Sequence, residues 1–229
     1  MPIRKTVSPF HFILRNAELP DAPQMEYIQS RCYPTLSQEE IIKKHHFENH
    51  IKLFPQGQFV IEDKNEMLIA TTSTFLCHFP IYDHTFLEAT DQLWLTKSHQ
   101  KDGQWLYGVD MGVLPEYRGK GLSKELYKAR QEMCQILGIK GQVTVGMPIG
   151  YGQYQNQLSI TAYCEKLKNN ELSDPTISAQ RKAGFIWIKP IFNYLRDPEA
   201  GNAGILMYFP LADQFKIDFN NGHTHAESN

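Results

Sequence analysis

Apolar residues occur along the chain in short β-rich runs that alternate with stretches of helical spacing. Runs of β-branched and aromatic residues bounded by turn-forming residues predict strands. Such runs occupy residues 10–15, 58–62, 67–75, 105–113, 143–145, 185–188 and 204–209. The polar turn at residues 63–66 joins the second and third runs and predicts a hairpin. The pattern predicts a sheet assembled from both halves of the chain.

Segments with apolar residues three or four positions apart predict helices between these strands. Asp21 can cap the first helix, which Pro34 ends. Ser37 followed by Glu40 is a capping-box pattern and predicts the start of a second helix. The predicted helices after the first occupy residues 41–54, 122–137, 158–167 and 177–183. Strands and helices mixed in this way predict an α/β fold.

Composition supports a single soluble domain. The chain has 229 residues and a formal net charge of −2, which gives no global attraction to nucleic acid. Its four cysteines form no CxxC pair, so isolated thiols in a reducing cytoplasm are the expectation. No apolar run approaches the ~20 residues that cross a bilayer. We expect one domain over residues 1–219, a disordered polar tail at 220–229, and a cytoplasmic monomer or homodimer.

The strand–turn–helix between residues 105 and 137 carries the chemical signal. Its turn reads Arg118, Gly119, Lys120, Gly121, Leu122, Ser123 and leads into an amphipathic helix. Backbone N–H groups at a helix start have no internal partner, and the helix dipole adds positive charge there. The two glycines let an oxygen-rich ligand approach, and the two cations add charge. The turn therefore predicts a pyrophosphate site.

Two common phosphate motifs are absent from this turn. A Walker loop needs GxxxxGK[ST], and a dinucleotide fold needs GxGxxG followed by an acidic residue. A glycine-rich turn without a ligand is the alternative that the bare RGKG pattern allows.

The turn and its surroundings resemble those of the GNAT acetyltransferases, whose signature is [RQ]-x-x-G-x-[GA] after a strand. Arg118, Gly121 and Ser123 fill those positions, although Ser123 replaces the usual glycine or alanine. The resemblance implies a mixed, mostly antiparallel sheet flanked by helices and acetyl-CoA as co-substrate. It also implies that backbone groups of Met111, Gly112 and Val113 contact the pantetheine arm.

A closer resemblance is to the acetyltransferase domain found fused to nitrilase-type carbon–nitrogen hydrolases. The matching segments are residues 83–90, 105–134, 147–154, 171–185 and 193–207. Since the chain ends soon after the last of these, we expect a transferase without hydrolase chemistry.

Proton transfer needs a base, because an amine of pKa near 10.4 is mostly protonated at pH 7 and its deprotonation costs ~4.6 kcal/mol. Asp110 lies on the strand predicted to flank the thioester and is the candidate, or else an ordinary polar residue. Strand alternation predicts that Asp110 faces away from Val109 and Met111.

The family's tyrosine that protonates the leaving thiolate corresponds to Gln180, which cannot deliver a proton. Tyr151, Tyr154 and Tyr163, in the neighbouring insertion 151–174, are the candidate substitutes, each with packing as its alternative role, and we select Tyr163. His46 and His50 have the i, i+4 spacing of a metal-binding pair, with His45 beside them. No third ligand has an evident placement, so no metal is expected.

Two functions remain open from the sequence. The first is an N-acetyltransferase that moves acetyl from acetyl-CoA to an amine acceptor. The second is a CoA-binding sensor without catalysis. Acceptor recognition would depend on residues 79–103 and 151–174, which have no regular pattern.

Overall fold

Eight strands form one mixed sheet in the part of the chain that the computed structural model describes, residues 2–79 and 82–217. Their order across the sheet is β1-β2-β3-β4-β5-β6-β8-β7. Strands β5 and β6 are parallel, and the other neighbouring pairs are antiparallel. The strands are β1 (Arg4–Val7), β2 (Phe12–Asn16), β3 (Phe59–Glu62), β4 (Leu68–Cys77), β5 (Trp105–Val113), β6 (Gly141–Gly146), β7 (Ile186–Phe192) and β8 (Ala203–Pro210).

Six α-helices flank this sheet within the described residues. They are α1 (Ala22–Cys32), α2 (Lys44–Leu53), α3 (Phe86–Ala89), α4 (Leu122–Leu137), α5 (Ile160–Lys168) and α6 (Pro175–Lys182). The mixed sheet with helices on both faces confirms the predicted fold class. The predicted disordered tail at 220–229 lies outside the described residues. None of the helices in the described part of the chain has the length and apolar character needed to cross a membrane.

Side chains alternate between two cores because the sheet is covered on both faces. On β3, Val60 packs in the cluster that contains α1 and α2, whereas Phe59 and Ile61 pack with α4. Helices α1 and α4 therefore lie on opposite faces, and we call these the α1 face and the α4 face.

Most predicted elements are present, and two predicted caps are wrong. The hairpin forms with Val60 opposite Thr71, and α4 has the predicted bounds. Glu40 does not cap a helix, because its carboxylate accepts the backbone N–H of Arg196 and α2 begins only at residue 44. Asp21 immediately precedes α1, but its carboxylate forms two hydrogen bonds with Arg15 instead of capping that helix.

Strands β5 and β6 pair over only part of their length. Their register runs from Trp105 opposite Gly141 to Gly108 opposite Thr144, and β5 continues for five more residues without β6. Beyond Gly108 the two strands diverge and leave a cleft in the middle of the sheet. Helix α6 closes the far side of this cleft, since Gln180 packs against Gly146 at the end of β6.

Candidate active site

The cleft between β5 and β6 holds a cavity of about 440 Å³ that is lined from both faces of the sheet. Its α4-face lining includes the turn before α4 and part of α6, and its α1-face lining includes the end of α1 and the segment before β8. The lining residues include Gln29, Cys32, Tyr33, Leu36, Phe86, Val109, Asp110, Met111, Val113, Arg118, Gly119, Gly121, Leu122, Ser123, Tyr127, Arg130, Gln180, Tyr194 and Leu195.

The predicted phosphate turn is open and ready to receive a ligand. Gly119 and Gly121 have φ of 78° and 77°, a left-handed conformation that glycine adopts without a steric penalty. A Cβ at either position would meet no atom within 4 Å. The N–H groups at the start of α4, from Leu122 and Ser123 onward, lie beside the cavity with the positive end of the helix dipole.

The two cations of the turn have different environments. Arg118 lines the cavity, and its Nε donates a hydrogen bond of 3.2 Å to the carbonyl oxygen of Val113. Lys120 Nζ instead lies 4.8 Å from the ring centroid of Tyr117 and 5.5 Å from that of Phe10. The ammonium of Lys120 is thus held by aromatic faces and does not line the cavity.

Side chains occupy the cleft-facing edge of β5. The Tyr33 hydroxyl donates to the Met111 carbonyl at 2.9 Å and accepts the Met111 N–H at 3.2 Å. The Val113 carbonyl accepts from Cys32 Sγ at 3.3 Å as well as from Arg118. Met111 and Val113 therefore present their backbone to the cleft, where these groups are already hydrogen-bonded.

Gly112 differs from its two neighbours. Backbone groups of successive strand residues point to opposite sides, so those of Gly112 point toward β4, where it pairs with Thr71. Gly112 is absent from the cavity lining, and a Cβ there would lie 2.8 Å from Ile28 Cγ2. This orientation does not favour a backbone contact between Gly112 and pantetheine, and the absence of a side chain at Gly112 allows α1 to pack closely.

A β-bulge sets the direction of Asp110. Ser73 and Thr74 on β4 oppose Asp110 and Gly108 on β5, which leaves Val109 as an extra residue. In a regular strand Gly108 and Asp110 would share a face. Gly108 faces Arg130 on α4, whereas Asp110 has the orientation of Gly112 and faces α1. The predicted opposition between Asp110 and Val109 is wrong for this reason, since Val109 also packs in the α1-face core.

The Asp110 carboxylate is buried, and only one of its two oxygens has a hydrogen-bond partner among the described atoms. Its Oδ1 accepts the backbone N–H of Ser73 at 2.8 Å, whereas its buried Oδ2 has no hydrogen-bond partner among the described atoms. Burial raises the pKa of Asp110 to about 6, and the positive charge of Arg130 limits the rise. A carboxylate with this pKa is largely ionised at pH 7 and is a stronger base than an ordinary aspartate.

Arg130 is a buried cation that the sequence interpretation did not single out. It is 1% exposed, and its Nη2 donates to the carbonyl of Asp110 at 2.6 Å and also to Thr72 Oγ1. These bonds connect α4 to both strands of the bulge. An arginine on the apolar stripe of α4, between Leu126 and Met133, was the sequence signal for a buried polar contact.

Tyr163 lies apart from the other predicted site residues. It is fully buried in a separate core cluster, its hydroxyl donates to Asp174 Oδ2 at 3.2 Å, and it does not line the cavity. Gln180 and Tyr127 both line the cavity, and burial raises the pKa of Tyr127. Of these two tyrosines, Tyr127 on α4 lies at the cavity and Tyr163 does not.

Two histidines of α2 make structural contacts. His46 Nδ1 lies 3.2 Å from the N–H of Lys43, and His50 Nε2 lies 2.6 Å from the carbonyl of Leu93. Burial lowers the pKa of both rings to about 4. Within residues 2–79 and 82–217, no group of three or more His, Cys, Asp or Glu side chains could hold a metal ion.

Comparison with known proteins identifies the family. The model of the acetyltransferase (GNAT) family matches residues 22–150, which is more than half of the chain. The chain therefore belongs to this family.

Two proteins of Bacillus subtilis (strain 168) are similar in sequence. "Probable hydrolase YhcX" is 30% identical over 209 residues, which is 90% of this chain and 39% of that protein. "Uncharacterized N-acetyltransferase YkwB" is 29% identical over 196 residues, covering 85% of this chain and 86% of that protein. The chain therefore spans well under half of the first relative and most of the second.

Solved structures share the fold. The loading GNATL domain of CurA from Lyngbya majuscula has a TM-score of 0.74 at 20% identity, over 87% of this chain and 98% of that one. The GphF GNAT-like decarboxylase in complex with isobutyryl-CoA has a TM-score of 0.72 at 17% identity, over 87% and 99%. The ribosomal-protein-S5-alanine acetyltransferase of Vibrio fischeri has a TM-score of 0.56 at 14% identity, over 94% and 100%.

Proposed function

We propose that this protein transfers the acetyl group of acetyl-CoA to a primary amine by direct attack within a ternary complex. The observation that carries the proposal is Asp110, a buried carboxylate that borders the cleft and keeps one oxygen without a partner. An incoming ammonium can donate to that oxygen and lose its proton there before it attacks the thioester.

The opposite wall supports the cofactor half of the proposal. The pyrophosphate of acetyl-CoA binds the open N–H groups at the start of α4, with Arg118 contributing a charge-assisted contact. The pantetheine arm runs along β5 and replaces the Tyr33 hydroxyl at Met111. The ligand in the GphF structure, isobutyryl-CoA, supports a CoA thioester in this fold.

Charge limits which acyl groups fit the site. An acyl chain with its own carboxylate would bring a second negative charge beside the buried carboxylate of Asp110, which is unfavourable in a low-dielectric cavity. We therefore assign an uncharged acyl group to the co-substrate, and among uncharged groups we propose acetyl because the chain belongs to an acetyltransferase family. The thiolate product has a pKa near ~8.5 and can leave without a proton donor, and we assign no proton transfer to Tyr163.

The CoA-binding sensor is the competing function. It would need the cofactor wall but not a buried, unpartnered carboxylate on the other side of the cleft, so Asp110 favours the enzyme. The relative YhcX supports a further proposal, that this chain corresponds to the acetyltransferase portion of longer proteins of that kind.

Thiol release tests the function. Purified protein would be incubated with acetyl-CoA and a panel of primary amines, and free CoA would be followed with a thiol reagent. Calorimetry on the same sample would measure acetyl-CoA binding. We expect binding together with amine-dependent thiol release. Binding without release for every amine would favour the sensor, and absence of binding would contradict both functions.

A further inference from the structure

The α1 face of the cavity is mostly apolar, and two buried acceptor atoms on it have no hydrogen-bond partner among the described residues. Its wall is formed by Leu36, Phe86, Tyr194 and Leu195, all of which are 5% exposed or less. Gln29 also lines this wall and is 2% exposed. Any molecule that attacks the thioester from this side must leave water and contact mainly carbon atoms.

The two buried acceptors are Asp110 Oδ2 and Gln29 Oε1, and neither has a hydrogen-bond partner among the described residues. A buried acceptor without a hydrogen bond costs about 1–3 kcal/mol, so a ligand that donates hydrogen bonds to both acceptors gains affinity. Primary ammonium carries several N–H donors on one small atom, and an apolar wall favours a carbon substituent behind it.

Charged groups around the cavity are few. Among the described lining residues, the charged side chains are Asp110, Arg118 and Arg130. Arg118 belongs to the cofactor side, and Arg130 is held from the α4 face by β4 and β5. The α1 wall therefore offers one negative charge and no cation to an incoming acceptor.

On the basis of the proposed function, we infer that the acceptor is a primary amine with a compact apolar substituent, and that Gln29 positions its nitrogen beside Asp110. A polyamine would bring a second ammonium to a wall with no second carboxylate. An α-amino acid would bring a carboxylate close to that of Asp110 with no cation to pair it. Each mismatch leaves a poorly solvated, unpaired charge.

A matched set of acceptors tests the substrate class. n-Pentylamine is the reference, 1,5-diaminopentane adds one ammonium, norleucine adds one carboxylate, and N-methylpentylamine removes one N–H donor. We expect kcat/KM in the thiol-release assay to be at least ~30-fold higher for n-pentylamine than for the diamine or norleucine, which corresponds to ~2 kcal/mol. N-Methylpentylamine should be ~10-fold poorer than n-pentylamine.

A variant tests the positioning role of Gln29. Gln29→Leu keeps most of the side-chain volume and removes the amide, so KM for n-pentylamine should rise ~5–10-fold while kcat and the acetyl-CoA Kd change little. The preference for n-pentylamine over its N-methyl analogue should also shrink. Gln135→Leu is the control, because Gln135 is exposed on α4 and does not line the cavity.

Each outcome separates the inference from the proposed function. Equal or better kcat/KM with the diamine or norleucine would overturn the substrate class while leaving amine acetylation intact. An unchanged KM and an unchanged N-methyl preference in a folded Gln29→Leu protein would overturn the role of Gln29. Acetyl-CoA binding without thiol release for any amine would overturn the proposed function itself.

Discussion

The two walls of the cleft are built in opposite ways. The cofactor wall is a continuous segment, from β5 through the glycine turn into α4, and its binding groups are backbone atoms open to solvent. The acceptor wall combines α1, the bulge in β5 and the segment before β8, and its polar groups are buried. The difference indicates that the first wall supplies anion binding through local geometry, whereas the second supplies chemistry through burial.

The largest effect is expected at the acceptor wall. Asp110→Asn keeps shape and removes the base, so turnover at pH 7 should fall by ~10²–10⁴-fold while the acetyl-CoA Kd stays within about twofold. Wild-type kcat/KM should rise with pH through an apparent pKa near 6, where Asp110 ionises. The mutant should lack that step and perform best at high pH, where the amine is already neutral. Rate–pH profiles that run parallel with an offset below about threefold would reduce Asp110 to a structural role.

A substitution in the cofactor wall should impair acetyl-CoA binding instead of turnover. Gly121→Asp places a negative charge beside the phosphate donors and should weaken acetyl-CoA at least ~100-fold by calorimetry. Gly138→Asp is the matched control, since Gly138 ends the same helix with a φ of 67° and open space around it. Both variants carry similar backbone strain, so an equal loss of affinity would refute the phosphate assignment.

Burial at the acceptor wall should also appear in stability. The folded pKa of Asp110, about 6, exceeds the ordinary value of 3.8, so the folded state favours the neutral carboxyl. The stability that the neutral Asp110 carboxyl contributes is fully present below about pH 4 and is lost as the pH rises through about 6. Asp110→Asn should therefore raise the free energy of unfolding by about 2–3 kcal/mol at pH 8 and change it little at pH 4, as measured by urea titration. A mutant less stable than wild type at pH 8 would contradict the burial argument.

The two cations of the turn should differ at least about threefold in their effect on acetyl-CoA affinity. Arg118→Ala should weaken acetyl-CoA ~10-fold and acetyl-pantetheine, which lacks the pyrophosphate, by less than about twofold. Lys120→Ala should weaken acetyl-CoA by less than about threefold, because its ammonium rests on aromatic rings. Equal losses of Arg118→Ala for the two ligands would mean that Arg118 serves mainly to hold Val113.

The smallest predicted effect is a gain. Tyr33→Phe removes the hydroxyl that is bonded to the Met111 backbone, so acetyl-CoA should bind ~3-fold more tightly, because the two hydrogen bonds to that hydroxyl need not be broken. Tyr27→Phe is the control, since Tyr27 is 48% exposed on the same helix. Weaker binding by Tyr33→Phe alone would show that the hydroxyl assists the ligand.

The sequence allowed prediction of the cofactor wall because its signals are local. Two glycines, a preceding strand and an amphipathic stripe define the turn and α4 within one contiguous segment. Those signals could not reveal that Tyr33 occupies Met111, a contact between residues 78 positions apart. The bulge was equally hidden, since the pattern around Val109 fits a regular strand. Gln29 had a weak signal as a polar residue next to the apolar face of Ile28, but nothing in the sequence identified what it faces.

The extra residue in β5 has two effects at once. It turns Asp110 toward α1, and it lies just where pairing with β6 ends, since bulged strands bend and twist more strongly than regular ones. A regular β5 would stay closer to β6, and its Asp110 side chain would point to the α4 face. The width of the cleft and the direction of its base are therefore set together by a single residue of β5. Conversely, protein engineering cannot widen this opening at Val109 without also rotating the acid.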